Sequence, residues 1–544
     1  MMSQPARLEP VVNSPDLSLR IRLPHPAPPA LLVQLAVGML LAACLSPQLE
    51  HPQAQNPEFV NGHLVAQNRL LIPPLLAPHM ENGEKVFDLT VGPGEAEIFP
   101  GKITQILSYN GMYPGPTIRA HAGDRVRLNI TNTLEETTTV HWHGMELPAA
   151  MDGGPHQVIG PGGSWQPYWT INNQAATLWY HPHTMGKTAE QVYRGLSGFF
   201  IIDDENSDSL ALPREYGVDD IPLVVQDKLF DPDGQFIYVH EHRVITAGLL
   251  GDSILVNGTY APYIEAPAKL IRLRLLNGSA ARRYNFGFSD NCTFHLIATD
   301  GGLLEAPVEQ TRLLLSPGER AEILVDLSNL KEPIRLMSYV FTDGENAVQN
   351  AIQEQLAGGT DEGQQFQILE LRPKTGTFVS EQIPKVLNTI EHLDENVVLK
   401  TRRFVLEAFT INSKMMDHER IDEVVRTGAT EIWEVENNSP IYHGFHVHGI
   451  QFWVLDRNGM TPPVSEQGWK DTVTVTPQET VRLIMKFLEY SDPNLPYMFH
   501  CHNLTHEDMG MMGQFVVVDE PSGQAQIQSP PDGIKQGDHA GHQN

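Results

Sequence analysis

The sequence predicts an all-β protein built from three repeated sandwich or barrel domains. Short β-branched or alternating runs, such as 125–130, 271–276 and 481–487, stand between turn residues, and the chain holds 44 Gly and 41 Pro. Many short strands separated by turn signals are typical of sandwiches and barrels. Helical patterns are few, and residues 346–356 are the best candidate for a helix.

Two markers that recur three times along the 544 residues predict the number of domains. The first is an asparagine at the end of a strand: Asn132, Asn277 and Asn437. The second is a proline that opens a turn before an alternating strand: Pro161, Pro317 and Pro477. The first marker recurs after 145 and 160 residues (277 − 132 and 437 − 277), and the second after 156 and 160 (317 − 161 and 477 − 317).

These markers and the composition divide the chain into six predicted parts. An apolar core of fourteen residues, 30–43, is too short to span a bilayer and fits a signal peptide. The polar end of the chain is predicted to be disordered. The predicted parts are a signal peptide at 1–44, domains at 57–205, 206–372 and 399–520, a linker at 373–398 and a disordered tail at 521–544.

The segment His500-Cys501-His502, followed by His506 and Met511, is the most informative motif. Successive side chains of a strand point to opposite faces, so the cysteine faces one way while its two neighbours face the other. Two His, one Cys thiolate and a weak axial Met describe a blue-copper site. Cys501 therefore predicts a copper site of that kind, with the flanking histidines directed towards other metals.

Three further clusters supply the remaining histidines. Each contains a His-x-His pair, which places two imidazoles on one face of a strand. The clusters are His141-Trp142-His143, His181-Pro182-His183 and His443-Gly444-Phe445-His446-Val447-His448. Zinc is the nearest metal alternative, but a closed structural zinc site has four ligands and would leave most of these histidines unexplained. Imidazole suits copper as well, and the eight paired imidazoles predict a cluster of three coppers.

Position within the repeats indicates where the clusters meet. Twenty residues after Pro161 comes His181, and twenty-three after Pro477 comes His500. The middle repeat has Met337-Ser338-Tyr339 at the same place, without a histidine. We therefore expect the first and last domains to share the copper cluster at their interface, with the middle domain as a copper-free spacer that shapes the cleft.

The four clusters resemble the copper-binding motifs of the multicopper oxidases, in particular the bacterial three-domain branch of copper-efflux oxidases, spore-coat laccases and bilirubin oxidases. The resemblance runs from about residue 87 to 518 and implies three cupredoxin-like Greek-key β-sandwich domains. It also implies four copper ions. Type 1 copper would take His443, Cys501, His506 and axial Met511; type 2 copper His141 and His446; one type 3 copper His143, His181 and His502; and the other His183, His448 and His500.

Three residues are predicted to take part in catalysis by this resemblance. Electrons would pass from type 1 copper through Cys501 to the flanking histidines. Asp152, in Met-Asp-Gly-Gly-Pro, and Glu507, directly after His506, match acidic positions that serve as proton relays in the copper-efflux branch. The alternative interpretations are a turn-forming Asp before Gly-Gly and a solvated Glu.

The substrate is predicted from what the sequence lacks. Copper-efflux oxidases carry a methionine-rich insertion over the type 1 site, but residues 346–366 contain no Met, and Ser439 and Ile441 replace the Asp and Met of that branch. We therefore expect a laccase-like oxidase of phenols or aromatic amines, with dioxygen as the acceptor. A cuprous oxidase for copper tolerance and a non-enzymatic copper or scaffold protein remain as alternatives.

The net charge restricts the class of partner, and the N-terminal segment predicts the compartment. The net charge of −29, from 37 Lys+Arg and 66 Asp+Glu, disfavours a nucleic-acid partner. Leu41-Ala42-Ala43-Cys44 resembles a lipobox, which predicts a lipid anchor at Cys44, although an ordinary signal peptide with an incidental Cys is the alternative. We expect an exported, periplasmic or extracellular monomer.

Overall fold

A computed structural model of the chain describes its structured part. The described residues are 59–60, 63–239, 248–340, 365–374, 376, 378, 382–487 and 490–519. The predicted signal peptide with Cys44, the predicted tail and the predicted helix at 346–356 lie outside them. Among the described residues, no helix is both long and apolar enough to cross a membrane.

The structure is all-β and confirms the predicted class of three cupredoxin-like Greek-key sandwich domains. Three pairs of sheets follow one another along the chain. Before them come the short strands β1 (Phe59–Val60), β2 (His63–Leu64) and β3 (Asn68–Arg69). The residue boundaries predicted for the domains stay predictions.

The first pair consists of a six-stranded and a four-stranded sheet. Its strands are β4 (His79–Glu81), β5 (Glu84–Phe99), β6 (Lys102–Tyr109), β7 (Ile118–His121), β8 (Arg125–Asn132), β9 (His141–His143), β10 (Ser164–Trp165), β11 (Tyr168–Thr170), β12 (Ala176–His181) and β13 (Gly198–Asp203). In the four-stranded sheet the order is β7-β13-β12-β9, which brings β9 and β12 side by side.

The second pair has seven and six strands, and the larger sheet runs β16-β15-β14-β18-β23-β20-β21. Strand β3, from before the first domain, completes the other sheet by pairing with β17. The strands are β14 (Asp220–Lys228), β15 (Ser253–Val256), β16 (Thr259–Tyr260), β17 (Pro262–Pro267), β18 (Leu270–Asn277), β19 (Tyr284–Phe288), β20 (Phe294–Thr299), β21 (Gly302–Gln310), β22 (Leu313–Leu315), β23 (Arg320–Asp326), β24 (Ile334–Ser338) and β25 (Phe366–Lys374).

The third pair has two five-stranded sheets, ordered β27-β26-β29-β33-β31 and β28-β35-β34-β30-β32. Its strands are β26 (Lys400–Glu407), β27 (Thr410–Ile411), β28 (Glu423–Arg426), β29 (Thr430–Asn437), β30 (His443–Val447), β31 (Phe452–Arg457), β32 (Thr472–Val475), β33 (Thr480–Lys486), β34 (Asp492–Cys501) and β35 (Met512–Val518). The short α-helices are α1 (Thr188–Tyr193), α2 (Glu205–Ser209) and α3 (Leu504–Asp508), and 3₁₀ turns lie at Ala149–Met151, Glu395–Val397 and Val464–Glu466.

The two sequence markers bond to each other in every domain, which explains why they recur together. The Asn132 backbone N–H donates to the Gly163 carbonyl, and the Gly162 N–H donates back to the Asn132 carbonyl. The same reciprocal pair joins Asn277 to the turn after Pro317, and Asn437 to the turn after Pro477. The three asparagine side chains are buried and donate to two or three further carbonyls each. Each asparagine therefore fixes the turn that starts the next strand.

Each domain also repeats one arrangement of parallel strands. The parallel pairs are β5 with β8 and β7 with β13, then β14 with β18 and β17 with β25, then β26 with β29 and β28 with β35. Each domain has its own apolar core. In the last domain, for example, Trp433 packs against Phe404, Phe445, Phe499 and Phe515.

The first and last domains meet through the two short helices next to the predicted copper ligands. Asp508, at the end of α3, accepts hydrogen bonds from the backbone N–H groups of Thr188 and Ala189 at the start of α1, both at 2.9 Å. A carboxylate is favourable there because the first N–H groups of a helix have no partner within the helix. This contact connects the loop after His183 to the loop after His502.

Candidate metal centres

Two antiparallel strand pairs, one from each end of the chain, position the histidine clusters. In the first domain, His141 on β9 lies opposite His181 on β12. In the last domain, His446 on β30 lies opposite His500 on β34. Because alternate residues of a strand share a face, each pair of strands presents its imidazoles on one side. The two sides face each other across the domain interface.

The interface brings together all eight histidines of the predicted three-copper cluster. Each is at most 1 % exposed: His141, His143, His181, His183, His446, His448, His500 and His502. The Nε2 atom of His500 lies 3.2 Å from Nε2 of His183 and 3.1 Å from Nε2 of His448. These three are the residues predicted for one type 3 copper, and their ligand atoms lie within 4.8 Å of one another.

The other predicted ligands surround this group. The Nε2 atom of His181 lies 3.4 Å from Nδ1 of His143, and the His502 ring lies 4.9 Å from the His143 ring. His141 falls in one compact group with His446 and His448, and in another with His143 and His181. The structure therefore gathers the predicted residues, while their division among type 2 and type 3 coppers stays a prediction.

Two aspartates orient two stacked pairs of imidazoles. His141 stacks on His448 with ring centroids 3.8 Å apart, and Asp152 accepts from both, through its carbonyl (2.9 Å from His141 Nδ1) and its carboxylate (2.8 Å from His448 Nδ1). His143 stacks on His446 at the same 3.8 Å. Asp471 serves that pair in the same manner.

The bonds to Asp471 are again one through the carbonyl and one through the carboxylate. The Asp471 carbonyl accepts from His446 Nδ1 at 2.8 Å, and Oδ1 lies 3.0 Å from His143 Nε2. A hydrogen bond on one ring nitrogen fixes the tautomer and leaves the other for a metal. The aspartates thus direct Nε2 of His141, His446 and His448, and Nδ1 of His143, into the cluster.

Buried nitrogen atoms without a hydrogen-bond partner fit a bound metal. Among the described residues, Nε2 of His141, Nδ1 of His183, Nε2 of His446 and both ring nitrogens of His502 have no hydrogen-bond partner. A buried polar atom without a partner costs free energy. Burial also lowers the pKa of all eight imidazoles, to about 3 for His141 and about 4 for His502, so they are neutral and ready to ligate. The donor set fits copper ions.

A second group forms around Cys501, on the other face of β34. The Cys501 Sγ atom lies 3.4 Å from His443 Nδ1 and 3.5 Å from His506 Nδ1. His443 Nε2 lies 2.8 Å from the hydroxyl oxygen of Ser439, which accepts its proton when Nδ1 faces a metal. Burial raises the pKa of the Cys501 thiol to about 12, so a thiolate is stable in this pocket only beside a bound cation.

Met511 is placed next to this group by two backbone hydrogen bonds. Its N–H donates to the His506 carbonyl and its carbonyl accepts from the Cys501 N–H, both at 3.0 Å. Met511 is fully buried in the same apolar core cluster as Cys501. Met512, by contrast, lies opposite His500 in the β34–β35 ladder. Met511 is thus the methionine that shares the cysteine's side of the loop.

Both predicted acidic residues lie against the histidine cluster. Asp152 is 1 % exposed, its Oδ1 has no hydrogen-bond partner, and burial raises its pKa well above its usual range. Glu507 is fully buried, with Oε2 3.2 Å from His500 Nδ1 and Oε1 3.4 Å from His183 Nδ1. Burial raises the pKa of Glu507 as well. The alternative interpretation of Glu507 as a solvated residue is therefore wrong.

The sequence alone does not predict the part that three residues play in the site. Asp471 and Arg320 are fully buried and form an ion pair with Nη2–Oδ2 at 2.6 Å. The sequence shows Ser439 only as a replacement for an acidic residue, but in the structure its hydroxyl contacts His443, a predicted copper ligand. Sequence signals for the first two are weak: Asp471 sits before β32, and Arg320 follows the Pro317 marker by three residues.

Family models identify the chain. Three models described as multicopper oxidase match residues 90–207, 236–356 and 383–521. The chain belongs to the multicopper oxidases. Membership shows an oxidoreductase family that uses copper, a small-molecule reducing substrate and dioxygen, as the resemblance of the four histidine clusters implies.

Individual multicopper oxidases and related proteins cover most of the chain. Multicopper oxidase mco of Staphylococcus aureus is 37% identical, over 83% of this chain and 93% of its own. Cell division protein FtsP of Escherichia coli is also 37% identical, with the same coverage. The crystal structure of a laccase from Pediococcus acidilactici Pa5930 superposes with a TM-score of 0.74 at 35% identity, covering 86% of this chain and 95% of that one.

The Cys501→Ser substitution tests the group around β34. We expect the copper-loaded variant to lose its blue absorption and its oxidase activity completely, because the thiolate is the ligand that the colour depends on. It should still fold, because the apolar cores of all three domains stay intact. Absorption spectra and circular dichroism measure the two effects. A variant that stays blue would show that Cys501 is not the ligand.

Met511 and its neighbour provide a second test. Met511→Leu should raise the reduction potential of the blue copper, since loss of a weak sulfur donor destabilises the oxidised ion. Met512→Leu is the matched control and should change the potential much less, because that residue belongs to the β35 ladder. Redox titration of the blue band measures both. Equal shifts in the two variants would contradict the assignment of Met511.

Proposed function

We propose that the protein is a laccase-like multicopper oxidase, which couples four one-electron oxidations of phenols or aromatic amines to the reduction of dioxygen to water. One observation carries the proposal. Cys501 lies within 3.5 Å of His443 and His506, while the adjacent His500 belongs to the eight-histidine cluster. A site for accepting electrons and a site for reducing oxygen are therefore joined by a single peptide segment.

Four copper ions would occupy these residues. His443, Cys501, His506 and Met511 would hold one ion, and the eight clustered histidines would hold three, as the family resemblance assigns them. When bound, the coppers supply electron transfer from the reducing substrate and the four-electron reduction of dioxygen. The polypeptide binds and orients the ions and excludes bulk water, since every proposed ligand is at most 1 % exposed.

Asp152 and Glu507 would supply protons to the oxygen-reducing site. Reduction of dioxygen to water consumes protons, and both carboxyl groups are buried against copper-facing histidines. Asp152 contacts His448 through Oδ2 and keeps Oδ1 without a hydrogen-bond partner. Glu507 lies between His500 and His183. Asp152 has no hydrogen bond to the group around Cys501, whereas Glu507 directly follows His506 of that group but directs its carboxylate to the cluster. Each is placed to pass a proton to the cluster.

The surroundings of His506 support an organic donor. The partly buried Phe409 ring lies 5.2 Å from the His506 ring, an apolar aromatic surface at the edge of a proposed ligand. Ser439 and Ile441 are buried, and the Ser439 hydroxyl contacts His443. These two residues are thus not available to bind a cuprous substrate. Residues 346–364, whose sequence lacks methionine, lie outside the described structure.

Two other functions are weaker candidates. Cuprous oxidation is supported by Met415. This residue is half-exposed and lies beside Gly510, which belongs to the loop between His506 and Met511. A binding or scaffold role is suggested by the relative named cell division protein FtsP. The complete set of twelve proposed ligands favours an oxidase over a copper-free role. Export and lipidation at Cys44, as well as the monomeric state, remain proposals from the sequence.

The Asp152→Asn substitution tests the proton supply. The amide keeps the shape of the side chain but cannot carry the proton, so turnover with dioxygen should fall about 100-fold. Anaerobic reduction of the blue band by substrate should be nearly unchanged, because Asp152 does not contact the group around Cys501. Stopped-flow absorption separates the two steps. Slowing confined to the anaerobic step would contradict the relay role.

Substrate preference is tested with a fully copper-loaded enzyme. Oxygen consumption should be faster with a phenol or aromatic amine than with cuprous ion, since soft thioether ligands for Cu(I) are scarce at this site. Excess copper should stimulate phenol oxidation only while copper sites are being filled. An enzyme that consumes oxygen faster with cuprous ion than with any phenol tested would instead assign it to copper tolerance.

A further inference from the structure

Arg320, in the domain that lacks predicted copper ligands, connects all three domains. It is fully buried, and all five of its N–H groups donate. Nε donates to the carbonyl of Thr177 in the first domain, and two bonds reach the Gly318 and Asp300 carbonyls in its own domain. The remaining two reach the carboxylate of Asp471 in the last domain, at 2.8 and 2.6 Å. A planar guanidinium fork fits a carboxylate in this manner, whereas a lysine ammonium does not.

Arg320 binds the carboxylate of Asp471, and Asp471 is one of the two aspartates that orient the stacked imidazoles. Asp471 and Asp152 are counterparts, each bonded to one histidine from the first domain and one from the last. They differ in their charge partners. Among the described residues, no lysine or arginine forms an ion pair with Asp152, whereas Asp471 forms one with the guanidinium of Arg320.

We propose that Arg320 is a positioning residue for the oxygen-reducing site. By fixing the Asp471 carboxylate, it keeps the proton of His143 on Nε2 and directs Nδ1 of that ring into the cluster. It also holds in place the Asp471 carbonyl, which accepts from Nδ1 of His446, a proposed type 2 ligand stacked on His143. The middle domain therefore contributes to the geometry of the cluster without ligating a metal. The inference rests on the copper assignment of the proposed function.

Close backbone approach supports this role. Gly144, directly after His143, has φ +85°, and a Cβ there would lie 2.6 Å from Asp471 Oδ2 and 2.7 Å from Arg320 Nη2. Gly318 has φ +84°, and its Cβ would lie 2.8 Å from the His502 ring. A side chain at either position would therefore collide with the ion pair or with His502. Glycine at both positions lets the backbone pass close to these groups.

A second ion-pair group fixes the residue before Asp471. Lys470 donates to Asp300 Oδ2 at 2.8 Å and lies 2.9 Å from Glu319 Oε1. Both acidic residues belong to the middle domain, and all three are buried. Two consecutive residues of the last domain are therefore positioned by the middle domain immediately before β32.

The competing explanation is that Arg320 only attaches one domain to another. Arg274 allows this explanation to be distinguished from a role in positioning the cluster. Arg274 is 1 % exposed, donates to Thr177 Oγ1 at 2.8 Å across the same interface, and pairs with Asp220 and Glu322. It has no hydrogen bond to Asp471 or to any described histidine. Arg274→Lys is therefore a matched control for removing a buried guanidinium from this interface.

The experiment compares Arg320→Lys, Asp471→Asn and Arg274→Lys in the full-length, copper-loaded protein. Copper per chain, the electron paramagnetic resonance spectrum of type 2 copper, the blue absorption and the rate of reoxidation by dioxygen are measured. We expect Arg320→Lys and Asp471→Asn to change the type 2 spectrum and to slow reoxidation about tenfold or more, with the blue absorption retained. Arg274→Lys should keep the wild-type spectrum and rate, even if its melting temperature falls.

Two results would overturn the inference alone. One is a wild-type type 2 spectrum and reoxidation rate in both Arg320→Lys and Asp471→Asn; the other is an equal loss in Arg274→Lys. If Arg320→Lys does not fold, the nearly isosteric Asp471→Asn decides. A wild-type protein that binds no type 2 copper would instead overturn the proposed function, and this inference with it.

Discussion

The proposed metal cluster depends on one constraint: each buried imidazole has two ring nitrogens, and the protein has to accept a proton from one to leave the other for a metal. Backbone carbonyls lie in position to accept from four of the eight clustered histidines, and aspartate carboxylates from two more. The Glu507 carboxylate lies near a seventh, His183. Carbonyl acceptors require a fixed backbone. Cys501 is the last residue of β34, Pro182 directly follows β12, Asp471 directly precedes β32, and Asp152 follows the 3₁₀ turn at Ala149–Met151. Ring orientation is thus controlled mainly by backbone at the ends of strands and of one short turn.

The repeated contact between asparagine and turn explains how one framework serves three domains with different roles. In each domain it fixes where the strand after the turn begins. Strands β12, β24 and β34 follow that turn at similar distances, but only the first and last carry histidines. The middle copy has an arginine at the start of β23, directly after its turn. A copper-free repeat can therefore retain a part in the site through a charged side chain.

The fold class and the identity of the proposed ligands could be predicted from the sequence. The ligands could be recognised because their chemistry depends on local spacing such as His-x-His. The sequence was not sufficient for Asp471 and Arg320. Their partners are distant, 328 residues from Asp471 to His143 and 151 from Arg320 to Asp471, and both residue types are common on surfaces. Glu507 remained open for another reason: its burial depends on which side of α3 faces the first domain, and that contact forms only in the folded chain.

The separation between His143 and Asp471 has a consequence for assembly. During synthesis the last strand of the first domain, which ends at Asp203, is made 268 residues (471 − 203) before Asp471, the acceptor for His143. The other four clustered imidazoles, between residues 446 and 502, also belong to the last domain. Until then His143 lacks its acceptor, although His141 and His181 already have theirs, the carbonyls of Asp152 and Pro182 in the same domain. We therefore expect that the proposed oxygen-reducing cluster is not loaded in a partly made chain. Metal uptake would follow the meeting of the first and last domains.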